Sequence, residues 1–146
     1  MTSTDHTADI VLFARDHNRV LCVLLIQRIA TSDVFPGWWA LPGGHVRPGE
    51  TPEHAAQRYL GAETGLTASV SLTLVDRYDT PGRDPRGDVI STAYTAVLDP
   101  MPWPGDDAQA AQWIPVPLAI ERGLAFDHAT ILTDALRSMG PVIEGT

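Results

Sequence analysis

One segment, residues 44 to 66, constrains the fold more than any other part of the chain, because it joins a glycine turn to a helix with both ends marked. Thr51 is a plausible N-cap, and Pro52 occupies the first helical position. Gly65 is a natural residue to follow the last helical turn. The pattern predicts a loop that leads into a helix over residues 51 to 64.

The remaining sequence predicts mostly strands around this helix. Residues 20 to 28 predict a strand, and its apolar run over residues 20 to 26 indicates a central position that is covered on both faces. Few long crossovers are present, so a mixed sheet with helices on both faces is expected, an α+β fold of the α-β-α sandwich type. The other predicted elements are strands over 9–13, 38–41, 70–78, 89–98 and 112–116 and a helix over 128–139.

Length and composition indicate one ordinary globular domain. Residues 1 to 8 are polar and predict a flexible arm, and residues 9 to 146 predict a single domain. The N-terminus has no apolar signal region, and no run is long enough to span a membrane, which predicts a cytoplasmic protein. The net charge of −8 argues against a surface that coats nucleic acid.

The spacing within residues 44 to 66 resembles the signature of the Nudix hydrolases. The preceding residues 39 to 44, Trp-Ala-Leu-Pro-Gly-Gly, also look like the usual lead-in of that family. The resemblance implies a Nudix fold, with a central mixed sheet between helices, and cleavage of a nucleoside diphosphate linked to another group. The residues that match the signature are Gly44, Glu50, Arg58, Leu60, Glu63, Gly65 and Leu66.

Later segments resemble Nudix members that act on ADP-ribose or related metabolites. They are residues 83–87 (Arg-Asp-Pro-Arg-Gly), residues 105–108 leading to Trp113, and residues 124–128 (Leu-Ala-Phe-Asp-His). The resemblance therefore favours an ADP-ribose-like substrate.

Two positions depart from the signature. Tyr59 and Ala62 stand where the family has glutamates, and both share a helix face with Glu63. In the family this face presents carboxylates to Mg²⁺ or Mn²⁺, which neutralise the phosphates and activate water. Here the resemblance leaves Glu63 and the Gly44 carbonyl as metal ligands. Weak or metal-selective activity is expected.

The resemblance also implies supporting roles for other residues. Glu50 either assists as a ligand or orients Arg58, and Arg58 holds an acid. Tyr59 either donates a hydrogen bond to a phosphate or fills the space of a lost metal site. The candidates for contact with the substrate are Trp38 and Trp39, one of which is expected in the core, and Arg83 and Arg86, which either reach phosphates or stay solvated.

Two functions follow as hypotheses. The first is a metal-dependent pyrophosphohydrolase with Glu63, Glu50 and Arg58 as its catalytic residues. The alternative is a catalytically inactive Nudix-fold module that binds a nucleotide or a partner protein. Some Nudix-like regulators carry a winged helix for DNA, for which this sequence has no room, so no nucleic-acid partner is expected. The expected partner is a small nucleoside diphosphate derivative, with no membrane contact; a homodimer stays open because dimers are common in similar families.

Overall fold

The computed structural model describes residues 4–64, 70–102 and 111–140, with the backbone alone for residues 63 and 64. The strands are β1 (Asp5–Arg15), β2 (Leu21–Gln27), β3 (Trp39–Ala40), β4 (Gly43–His45), β5 (Thr73–Tyr78), β6 (Val89–Leu98) and β7 (Ala111–Pro115). The helices are α1 (Pro52–Thr64), α2 (Val116–Arg122) and α3 (His128–Ser138).

The strands form one mixed sheet, as the sequence predicts. Its main path runs β3-β2-β1-β6-β5, while β4 pairs with β1 and β7 pairs with β2. Strands β1 and β6 are parallel over ten residue pairs, and the other pairings are antiparallel. The central position of β1 and β2 agrees with their nearly continuous apolar sequence.

The central strand β1 divides the core into two halves. Because successive side chains of a strand point to opposite faces, Ile10 and Leu12 face one side and Val11 and Phe13 the other. The first pair packs with Leu60 and other small or apolar residues of α1. The second pair packs against α2 and α3. Helices therefore cover both faces, which confirms the expected sandwich.

The N-terminal arm that the sequence predicts over residues 1 to 8 is wrong for residues 5 to 8. These residues belong to β1, where Asp5 pairs with Val89 and Ala8 pairs with both Thr92 and Gly44. Local polarity predicts mobility, but the backbone hydrogen bonds of the two neighbouring strands order this segment. Thr7 and Ala8 are consequently buried.

Two short elements escape the sequence prediction. Residues 43 to 45 form β4 within a stretch that is expected to be a turn and loop, and residues 116 to 122 form α2. Helix α2 begins with proline within its first two positions and is only seven residues long, too short for a clear helical periodicity. The helix predicted over 51–64 and the strand predicted over 89–98 agree closely with α1 and β6.

Candidate functional site

Tyr59 of α1 packs directly on Gly44 of β4. A side-chain carbon added at Gly44 would lie 2.7 Å from the Tyr59 hydroxyl oxygen and closer still to its ring. The Arg58 guanidinium lies over the same ring, 4.3 Å from its centroid. Tyr59 therefore occupies the space beside the glycine to which the resemblance assigns a metal-binding carbonyl.

Glu50 is fully engaged by neighbouring donors. Its two oxygens accept hydrogen bonds from the Arg58 side chain at 2.9 and 2.8 Å and from the Arg47 backbone N–H at 3.0 Å. The His54 ring nitrogen Nδ1 lies 2.9 Å from Oε2. The hydrogen bonds from Arg58 hold the pKa of Glu50 well below its usual range. Glu50 thus orients Arg58, which also donates to the His45 carbonyl at 3.1 Å.

We call Gly44, Glu50, Arg58 and Tyr59 the box cluster. Its described donors do not fit a resident divalent ion. Among the side chains that the structure describes, no three His, Cys, Asp or Glu residues gather as a metal site would require. The side chain of Ala62 offers no ligand atom, and the side chain of Glu63 lies outside the described residues. Since Mg²⁺ requires several oxygen ligands, the box cluster is a poor metal site without an additional source of oxygens.

A cavity of about 220 Å³ lies at β4 and borders the box cluster at Gly44, and the neighbouring His45 also lines it. It is lined by segments that are far apart in the sequence, namely β1, the end of β2, the loop between β5 and β6, and the start of α3. Its lining includes the side chains of Asp9, Arg28, Arg83, Asp84, Arg86, Phe126 and His128.

The two arginines predicted for the loop between β5 and β6 both line this cavity, but they differ in exposure and in their ion-pair partners. Arg83 has only 4% of its side chain exposed and forms two hydrogen bonds to Asp127, at 2.9 and 2.6 Å. Arg86 is paired with the buried Asp84 and remains 41% exposed. Arg83 therefore anchors the loop to the start of α3, whereas Arg86 is accessible to a ligand.

An aromatic ring at the cavity is contacted by two guanidinium groups. Phe126 has Arg28 5.0 Å and Arg86 5.3 Å from its ring centroid. Its φ of 54° is uncommon for a bulky residue and is held by the surrounding contacts. The positive charge and the aromatic surface suit a ligand that carries both phosphates and a base. Phe126 and Arg28 are absent from the candidates derived from the sequence.

Asp9 and His128, which together we call the cavity floor, line the cavity and are also absent from the candidates derived from the sequence. His128 accepts a hydrogen bond at Nδ1 from the Leu41 backbone N–H, at 3.0 Å. Its Nε2 lies 3.6 Å from Asp9 Oδ1, and the Ser91 hydroxyl donates to Asp9 Oδ2. The sequence does contain one signal for this pair, namely the charged Asp9 next to the apolar run of β1. Buried charges are rare without partners, so Asp9 indicates a partner elsewhere in the fold.

The two tryptophans lie in different surroundings. Trp39 is half-buried and packs against the core beside α2 and α3. Trp38 is 45% exposed, and its ring meets Phe35 edge to face at 5.3 Å between centroids. Phe35 in turn contacts Phe126 at 4.8 Å. Trp38 is therefore linked to the cavity through Phe35 and is not itself part of the cavity lining.

With this geometry established, comparison with known proteins identifies the class. The NUDIX domain family matches residues 4–135, and the chain belongs to the Nudix family. It is 42% identical over 118 residues to an ADP-ribose pyrophosphatase of Methanocaldococcus jannaschii, a match that covers 79% of this chain and 66% of that protein. The chain thus spans slightly under two thirds of this curated relative.

Solved structures agree with the family assignment. A mutT/nudix family protein from Listeria innocua is 35% identical, with a TM-score of 0.84 and full coverage of both chains. The NUDIX domain of Shewanella oneidensis NrtR complexed with ADP ribose is 27% identical, with a TM-score of 0.80, and 95% of this chain and 90% of that chain are covered. Nudix hydrolases generally use a divalent metal ion, so the composition of the box cluster bears directly on catalysis.

The expectation of no nucleic-acid partner is wrong for proteins similar to this one. Shewanella oneidensis NrtR has been crystallised with a 27mer DNA; it is 28% identical to this chain, with a TM-score of 0.75, and 91% of this chain and 61% of NrtR are covered. The expectation rested in part on the net charge of the whole chain. Contact with DNA depends on cations gathered on one surface, which a net charge does not report.

In the part of the chain that the structure describes, no helix has the length and apolar character to cross a membrane.

Proposed function

We propose that this protein binds an ADP-ribose-like nucleoside diphosphate derivative in the cavity and hydrolyses its pyrophosphate only weakly. The observation that carries the proposal is the cavity itself, where Arg28, Arg86 and Phe126 line the same space as Gly44 of the box cluster. Guanidinium groups suit phosphates, and the aromatic ring suits a base. The similarity to an ADP-ribose pyrophosphatase and to an ADP-ribose-binding Nudix domain supports this choice of ligand.

Weak hydrolysis is proposed because the box cluster has few oxygens to offer. Tyr59 covers Gly44, and Glu50 is occupied by Arg58. The Gly44 carbonyl and Glu63 are the ligands left for Mg²⁺ or Mn²⁺, and Glu50 and Arg58 act by positioning. An ion would therefore need oxygens from the substrate phosphates and from water to complete its shell.

A second candidate function is a nucleotide-binding module without catalysis. The specific observation in its favour is the contact between Tyr59 and Gly44, which fills the position where the family presents a carboxylate. In this case ligand binding would persist while turnover would be absent with either metal.

The test measures binding and turnover separately. ADP-ribose, NADH, diadenosine polyphosphates and nucleoside triphosphates would be incubated with the protein in Mg²⁺ and in Mn²⁺, and released monophosphate would be quantified. Glu63→Gln removes the glutamate that matches the family signature on α1, while Glu53→Gln, at an exposed position of the same helix, is the matched control. Calorimetry with ADP-ribose measures binding.

Metal-dependent turnover that only Glu63→Gln abolishes would support the hydrolase. Binding without turnover in either metal would support the silent module. If ADP-ribose and the other compounds neither bind nor react, both candidates are wrong.

A further inference from the structure

The cavity floor holds a buried acid and imidazole that neither candidate function uses. Asp9 is 5% exposed and His128 is 5% exposed, and both residues line the cavity. Asp9 Oδ1 and His128 Nε2 are 3.6 Å apart, which is longer than a hydrogen bond. When two polar atoms face each other at this distance, a third group that bridges them should be considered.

The backbone determines which nitrogen of His128 carries hydrogen. The Leu41 N–H donates to Nδ1, so Nδ1 is an acceptor, and a neutral imidazole then carries its hydrogen on Nε2. Burial lowers the pKa of His128, against the opposing effect of the nearby Asp9 carboxylate, so the neutral ring is favoured. Nε2 therefore offers an N–H donor at the cavity floor.

Asp9 supplies the matching acceptor. Its Oδ2 accepts a hydrogen bond from the fully buried Ser91 hydroxyl, which fixes the carboxylate plane. Its Oδ1 is the oxygen nearer to His128. An ionised carboxylate can only accept hydrogen bonds. The cavity floor therefore presents one donor and one acceptor side by side.

The donor on His128 and the acceptor on Asp9 favour some chemical groups of a nucleoside diphosphate derivative over others. A phosphate would bring negative charge towards the Asp9 carboxylate. An amino group could donate to Oδ1 but would leave the His128 N–H without an acceptor. A hydroxyl group donates and accepts at a single oxygen, which suits two atoms only 3.6 Å apart.

We propose that Asp9 and His128 together bind a sugar hydroxyl of the ligand, with the hydroxyl donating to Asp9 Oδ1 and accepting from His128 Nε2. The proposal rests on the proposed ligand class. The hydroxyl belongs either to the ribose of the nucleoside or to the second sugar, and the ligands in the test distinguish these two sources.

The test combines protein variants with ligand analogues in calorimetric titrations. Asp9→Asn keeps the shape of the side chain and removes its charge, while Asp76→Asn makes the same change at an exposed position of β5. The ligands are ADP-ribose, analogues of it that each lack one hydroxyl on one of the two riboses, and ADP, which lacks the second sugar. Thermal melting checks that each variant is folded.

The expected result is a loss of about tenfold or more in affinity for ADP-ribose in Asp9→Asn, with none in Asp76→Asn. The analogue that lacks the bound hydroxyl should bind the unmodified protein about as weakly as Asp9→Asn binds ADP-ribose. It should lose no further affinity in Asp9→Asn, because the two changes remove the same interaction. If ADP loses no affinity in Asp9→Asn, the bound hydroxyl belongs to the second sugar.

The hydroxyl site is overturned if the loss of affinity in Asp9→Asn adds to the loss caused by every analogue, because the two changes then remove different interactions. The proposed binding of ADP-ribose would not be affected by that result. If Asp9→Asn does not fold, the affinities of the analogues for the unmodified protein provide the test. The hydroxyl site is overturned if no analogue binds at least about tenfold more weakly than ADP-ribose. If ADP-ribose does not bind the unmodified protein at all, the proposed function fails first, and the hydroxyl site fails with it.

Discussion

The box cluster and the cavity meet at β4 but are built in opposite ways. The box cluster comes from sixteen consecutive residues, Gly44 to Tyr59, and an aromatic ring lies where the family places a carboxylate. The cavity draws Asp9, Arg28, Arg86 and His128 from four separate segments and keeps charged and polar groups at its wall. The comparison shows that one scaffold can pack an aromatic ring against a glycine in one region and line a cavity with charged and polar groups in the other.

The largest expected effect concerns the ion pair that holds the cavity loop in place. Arg83→Met should reduce the free energy of unfolding by about 3 kcal/mol, because it leaves Asp127 without its partner in a largely buried pair. Urea denaturation measures the change. The matched control is Arg137→Met, whose side chain is 77% exposed beside Asp134 and should contribute about 0.5 kcal/mol or less. Equal losses in the two variants would mean that Arg83 does not anchor the loop.

A second prediction concerns adding to the box cluster the two carboxylates that the family signature has there. The double substitution Tyr59→Glu and Ala62→Glu opens the space beside Gly44 and adds two carboxylates next to Glu63 on the same helix face. Metal-dependent hydrolysis of ADP-ribose should rise on the order of 100-fold in kcat/KM, equivalent to about 2.7 kcal/mol of transition-state stabilisation. The affinity for ADP-ribose without metal should stay unchanged. No gain in turnover would show that more than the missing acids limits catalysis.

A third prediction examines the packing of the box cluster itself. Gly44→Ala places a methyl group against the Tyr59 ring and should cost about 2 kcal/mol of stability through overpacking. Adding Tyr59→Ala to this variant should recover part of the loss, because the clash is removed. Gly140→Ala, where an added carbon meets no atom within 4 Å, is the control. Thermal or urea unfolding of these variants reports the coupling.

The smallest effect concerns the pH dependence of the cavity floor. Burial lowers the pKa of His128 in the folded protein below the unfolded value of about 6.5, so the unfolded chain binds the proton more readily. Stability from this residue is full above about pH 6.5 and decreases as the pH falls below that value, by up to about 1.4 kcal/mol per pH unit. His128→Gln should lose this slope between pH 6.5 and 5 in urea unfolding. A slope that persists in the variant would have to come from another group.

Sequence alone predicts the box cluster well because its information is local. Helix signals at Thr51 and Pro52 give α1 to within one residue, and the spacing of Glu50 and Arg58 anticipates their contact. The same reasoning leaves two roles possible for Tyr59, a hydrogen bond to a phosphate or the filling of a lost metal site. Helical periodicity predicts which face of α1 carries Tyr59 but not which residue packs against it. Its position on Gly44 required the pairing of β4 with β1.

The cavity shows the opposite case. Arg83 and Arg86 are candidates from the sequence, but their exposure differs. Arg83 forms a largely buried ion pair with Asp127, which is 44 residues away in the chain, whereas Arg86 stays 41% exposed. Asp9, Phe126 and His128 were not candidates at all. No local pattern connects Asp9 with His128, since only the packing of α3 against the sheet brings them together.

The sequence by itself thus determined the family scaffold, the two-sided core of the sheet and the loss of two helix acids, because these depend on periodicity and spacing along the chain. Tertiary structure alone decided which arginine stays accessible, where Tyr59 packs and that Asp9 faces His128. The physical reason is that side-chain partners far apart in the chain meet only when strands and helices pack, and burial then fixes their charge and hydrogen bonding.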